Sequence, residues 1–172
     1  MSYHRPHTPP PKGDSGLCPQ TRGLAPLSGM VAGTDVLTRA GFRKVDELGP
    51  GADVITRDRG LCPVTAVTHV SGRSRMVHFS KSALGDAAPQ AGITLPAHHL
   101  VLVRDWRAEA MFGKHEARVQ AAALIDDAYI TDAGMQEVTC LQLWLRHPAI
   151  LYARGLELFS AHEFDSQLRP QV

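Results

Sequence analysis

Two histidines, His98 and His99, stand side by side just ahead of the most apolar run of the chain, and a third, His147, follows a second apolar stretch. Imidazole exchanges protons near neutral pH. Beside a hydroxyl or thiol it can serve acyl transfer, and among other donors it can hold a metal. Thiols are offered by Cys18, Cys62 and Cys140, but Cys18 lies far upstream in the proline-rich segment, and Cys62 and Cys140 sit on or beside expected strands. A zinc reading would require His98, His99 and His147 to converge, with Asp105 nearby. No tight ligand spacing supports that, so neither metal nor cofactor is expected. His4 and His7 read as solvated side chains of a proline-rich segment.

The elements that must position these groups read as short strands. Residues 34–39 and 53–57 mix β-branched with polar residues, and turn chemistry surrounds them at Ala40-Gly41, Gly49-Pro50-Gly51 and Asp58-Arg59-Gly60. Between them, residues 45–48 are long enough for one helical turn. Residues 64–70 form a third run ending at Ser71-Gly72, and residues 76–80 a further short strand. Gly85, Asp86, Pro89 and Gly92 make residues 82–92 a loop. Residues 100–103 are continuously apolar, as in a strand buried on both faces. Residues 104–113 fit a short helix or a wide hairpin, and the alanine-rich residues 119–125 fit a helix. Residues 137–145 alternate as a strand does, and residues 150–153 form the next, turned by Arg154-Gly155.

Composition narrows the classes. The chain has 172 residues, enough for one domain with a sizeable core. Its 18 basic and 17 acidic residues leave a net charge of +1, so no basic face for nucleic acid is implied. Three cysteines without close spacing argue against a disulfide framework and for free thiols in a reducing compartment. No apolar run reaches the ~20 residues of a spanning helix, so no membrane role is expected. A cytoplasmic location is the default expectation, with signal-less export as the alternative. Six of the 12 prolines fall within residues 1–27, which read as a polyproline-like leader. The expected organisation is a leader at 1–27, a mainly β domain at 28–162 and a tail at 163–172.

Three segments carry a resemblance. They read Gly29-Met-Val-Ala-Gly33-Thr34, Val45-Asp-Glu-Leu48-Gly-Pro50-Gly51-Ala52-Asp53-Val54 and Thr56-Arg57-Asp58-Arg-Gly60. This chain resembles the Hint domain of hedgehog autoprocessing regions and inteins, and more narrowly the bacterial Hint-type proteins, over about residues 29–160. The resemblance implies a flattened, horseshoe-like β fold with pseudo-twofold symmetry and one or two short helices. It also implies self-processing of a peptide bond. A Cys or Ser at the first residue attacks the preceding carbonyl, a His protonates the leaving nitrogen, and donors hold the oxyanion.

Aligning Leu95-Pro96-Ala97-His98 on the family's Ser-Pro-x-His places the family histidine on His98. His99, one residue out of register, is the alternative. Arg146-His147 is similar to the family's late Arg-His and makes His147 the second site candidate. Two positions depart from the pattern. The family nucleophile falls on Gly29, which has no side chain, and the family Ser falls on Leu95. Ser28, one residue early, is the replacement to weigh. The resulting expectation is a Hint-like module without self-cleavage, serving a protein or small-molecule partner. The alternative is an N–O acyl shift with Ser28 as nucleophile and His98 as general acid.

Overall fold

The structure is a computed structural model that describes residues 26–161. Most of the expected leader and the whole expected tail lie outside the described residues. Among those described, the chain is mainly β. One antiparallel sheet contains β1 (Met30–Val31), β2 (Asp35–Thr38), β3 (Gly41–Lys44), β4 (Asp53–Thr56), β5 (Gly60–Phe79), β6 (Ile93–Pro96), β7 (Leu100–Val103), β8 (Ala117–Gln120), β9 (Ile130–Leu145), β10 (Ile150–Ala153) and β11 (Leu156–Phe159). The one described α-helix, α1 (Trp106–Phe112), lies between β7 and β8. Single 3-10 turns occupy Val45–Glu47 and Ala121–Leu124. The second of these, together with β8, stands where a helix over 119–125 was expected.

Neighbours run β1, β9, β5, β4, β2, β10, β11, β7, β8, with β3 beside β2 and β6 beside β5. β5 is the shared strand. Its start pairs with β4, its length with β9 and its end with β6. The two strands expected at 64–70 and 76–80 are therefore one. Ser71 and Gly72, read as a turn, sit mid-ribbon opposite Thr139 and Val138. A two-stranded ribbon twists freely and tolerates small residues, so a glycine there does not end the strand.

The core gathers Val36, Val54, Phe79, Leu95, Val101, Ile130, Leu141, Leu143, Leu151 and Leu158. β7 is buried on both faces from Val101 to Val103, as its unbroken apolar run predicts. β9 changes character along its length. It is largely exposed up to Thr139, and then residues 140–145 are all buried. Leu141, Leu143 and Leu145 belong to the core. Cys140, Gln142 and Trp144 alternate with them and face the opposite way. On that second face the Gln142 side chain reaches the incoming chain at the Ser28 carbonyl.

Candidate functional site

Incoming and outgoing chain share one edge of β9. β1 pairs Met30 with Leu141 and Val31 with Cys140, and further along Ala161 bridges Trp144 and donates its N–H to the Leu143 carbonyl at 3.0 Å. Gly29 sits between them with φ +124, a conformation that favours glycine. A Cβ there would stand 2.8 Å from the Leu141 carbonyl oxygen, and 3.2 Å from both Cys140 Cβ and Gln142 Cγ. Backbone conformation and packing therefore both require glycine.

The histidine arrives from the opposite side. β6 ends in a tight turn in which His99 N–H donates to the Pro96 carbonyl at 2.9 Å. Ala97 N–H is held by the Arg75 carbonyl, while the Ala97 and His99 carbonyls accept from Ala122 and Ala121. This turn sets which of the adjacent rings faces the cleft. Were the segment extended, His98 and His99 would simply face opposite ways. The turn puts His98 at its exposed tip and swings His99, 3% exposed, into the cleft. Gly29 N–H donates to His99 Nδ1 at 3.1 Å, and Ser28 Oγ lies 3.2 Å from the same nitrogen. Because the amide can only donate, Nδ1 carries its lone pair and the neutral ring holds its proton on Nε2.

The same peptide unit is gripped at its oxygen. Gln142 Nε2 donates to the Ser28 carbonyl at 3.2 Å. The other amide atom, Oε1, is buried without a hydrogen-bond partner. Thus the Ser28–Gly29 peptide bond has an imidazole at its nitrogen and an amide donor at its oxygen. These residues, with Ser160 and Ala161, line a narrow cavity of about 10 Å³, the scale of a single water. Larger hollows beside Arg39 and Arg43, and beside Arg104 and Glu157, share no residue with it.

The other expected residues lie elsewhere. His98 is exposed, and His147 is exposed in the connection between β9 and β10. Neither lines the cleft. The loop after β9 carries His147 past the edge that holds Gly29, so the late polar group facing this bond is Gln142, on the strand itself. Leu95 is fully buried in the core. Cys140 is buried, and desolvation pushes its thiol up to about 11, which keeps it protonated at neutral pH. Cys62 is half-buried on β5, and Cys18 lies outside the described residues. Among the described residues no three His, Cys, Asp or Glu side chains group to hold a metal, and Asp105 instead caps α1 by accepting from Arg107 N–H at 3.0 Å. Sequence reasoning missed Gln142. Its signal was a lone amide inside the apolar run 140–145, where a buried polar group needs a partner.

The Hint domain family profile matches residues 28–165. Among solved structures, the chain is similar to a bacterial intein-like domain from Clostridium thermocellum, at 15% identity and a TM-score of 0.53 over 78% of this chain and 99% of that one. It is similar also to the DnaX mini intein from Spirulina platensis, at 15% identity and a TM-score of 0.51 over 75% and 97%. No curated protein matches the sequence. The profile spans most of the chain, the solved relatives share its open antiparallel β architecture, and this chain belongs to the Hint domain family.

Proposed function

We propose that this Hint domain grips a peptide bond without cutting it and serves as a compact binding or structural module. The observation that carries this reading is Gly29. Its neighbours leave no room for a Cβ, so the position from which the family's nucleophile would attack is closed as well as empty. His99 at the nitrogen and Gln142 at the oxygen would assist cleavage if an attacking atom were supplied. Without one they act as clamps that fix the incoming chain against β9. Losing a nucleophile removes several orders of magnitude of rate. The purified chain therefore keeps its full mass on prolonged incubation with a thiol or hydroxylamine, as read by intact mass spectrometry. Fragments ending near residue 28 would overturn the reading.

One contact favours a second reading, an N–O acyl shift. Ser28 Oγ stands 3.2 Å from His99 Nδ1, a nucleophile–base distance. In that reaction Oγ attacks the Leu27 carbonyl and its proton passes to His99. The Leu27–Ser28 amide nitrogen then takes the proton as it leaves, and an ester remains. Hydroxylamine would release a fragment ending at Leu27 from the wild type and none from Ser28→Ala. Equal, intact masses for both exclude it.

A further inference from the structure

Arg154 stands in the turn between β10 and β11 with φ +48, in the left-handed region that a β-carbon disfavours. A residue held there against its preference points to a function for its side chain. Arg154 Nε donates to Asp35 Oδ2 at 3.0 Å, Nη2 to the Gly33 carbonyl at 3.0 Å and Nη1 to the Gly92 carbonyl at 2.8 Å. The backbone repeats the tie. Arg154 N–H donates to the Asp35 carbonyl, and Gln90 N–H donates to the Arg154 carbonyl. The turn is seated tightly against the loop before β6, because a Cβ at Gly155 would collide with the Ala87 carbonyl oxygen.

Gly33 and Gly92 belong to the two segments that meet at the clamped peptide. Gly33 lies just after β1, which Gly29 precedes, and Gly92 lies just before β6, which leads to His99. β1 pairs with β9 and β6 with β5, so no ladder joins β1 to β6. Side chains tie them instead, at opposite ends. His99 Nδ1 holds the Gly29 N–H at one end, and the Arg154 guanidinium holds the Gly33 and Gly92 carbonyls at the other.

We propose that Arg154 is a positioning residue for the peptide clamp, setting the distance at which His99 meets the Gly29 N–H. A single bond would leave the two segments free to pivot about it. A second tie at the far end fixes their spacing, and a hydrogen bond weakens steeply as its geometry departs from ideal. The guanidinium suits the task, because its rigid fork of donors grips two carbonyls and a carboxylate at once. Asp35 alone does not account for the arginine. Lys44 Nζ also pairs with Asp35 Oδ1, at 2.5 Å, so the carboxylate keeps a cation without Arg154. What Arg154 adds is the bridge from Gly33 to Gly92. Arg154 has this role only if His99 clamps the peptide as proposed above.

The test follows amide hydrogen exchange and imidazole nitrogen NMR in the full chain. Arg154→Gly keeps the left-handed backbone and removes the side chain, and Arg154→Lys keeps the charge without the fork. In both, exchange at the Gly29 amide is expected to rise about tenfold, as a local opening would allow. The His99 Nδ1 resonance is expected to move as its donor withdraws. The Arg57 and Ala161 amides, bonded to the Ile150 and Leu143 carbonyls, are expected to keep wild-type rates. Asp35→Asn is expected to leave Gly29 unchanged. Wild-type behaviour of Gly29 in either arginine variant overturns the proposal. Faster exchange shared equally by Arg57 and Ala161 also overturns it, because that marks a loss of stability alone, and so does an equal effect from Asp35→Asn. Intact mass is read on the same samples. Fragments from the wild type overturn the non-cutting module, whereas full mass with an unmoved Gly29 overturns the role of Arg154 alone.

Discussion

Gly29 links packing to chemistry at the scale of a residue. Its positive φ, and a Leu141 carbonyl oxygen 2.8 Å from where a Cβ would stand, make any side chain costly. Restoring the family hydroxyl with Gly29→Ser should therefore destabilise the domain by ~1–3 kcal/mol from backbone strain alone, with steric conflict added. The midpoint of urea unfolding measures it. No cleavage is expected from this variant, because relieving the clash moves the peptide away from His99 and Gln142. The sequence made the glycine at this position legible, since Gly29 falls inside segments that otherwise match the family. It left the choice of histidine open. A turn at residues 96–99 and an extended strand differ by one residue in which ring faces inward, and side-chain chemistry cannot distinguish His98 from His99. His147 shows a further limit. A motif match fixes its place along the chain, but the exit angle of the loop after β9 decides where its ring goes.

Asp126 organises the turn before β9 and couples it to α1. Burial would raise its pKa, but the N–H groups of Ile130, Ala128 and Tyr129 and the Arg107 guanidinium outweigh burial and bring it down to about 2. A carboxylate with a lowered native pKa stabilises the fold above its unfolded value near 4, and that contribution is lost as pH falls toward 2. Amide shifts of Tyr129 and Ile130 should therefore titrate below pH ~4, and Asp126→Asn should abolish that step. The effect should be local and modest, because the group is near solvent. At the same scale, apolar continuity identified β7, and alternation identified the end of β9. β11 and β3 went unread. β11 is a four-residue continuation after a turn, and β3 follows Ala40 with the polar Gly-Phe-Arg-Lys run, which has no buried face. Both owe their pairing to partners far away or to the hairpin geometry, not to their own pattern.

Across the whole molecule, pairings join distant parts of the chain. Met30 lies opposite Leu141, and Val36 opposite Ala153. Such topology must close long loops before contacts offset the entropy, so refolding from urea should take milliseconds to seconds, not microseconds. Stopped-flow fluorescence of the buried Trp144 would report it, and a microsecond phase carrying the full amplitude would contradict the assignment of β1 to β9.

The bridge between Trp144 and Ala161 has a broader consequence. Polypeptide reaching the domain and polypeptide leaving it run along the same strand edge, a few residues apart. Whatever is joined onto either side is brought shoulder to shoulder, as two ropes are by a buckle.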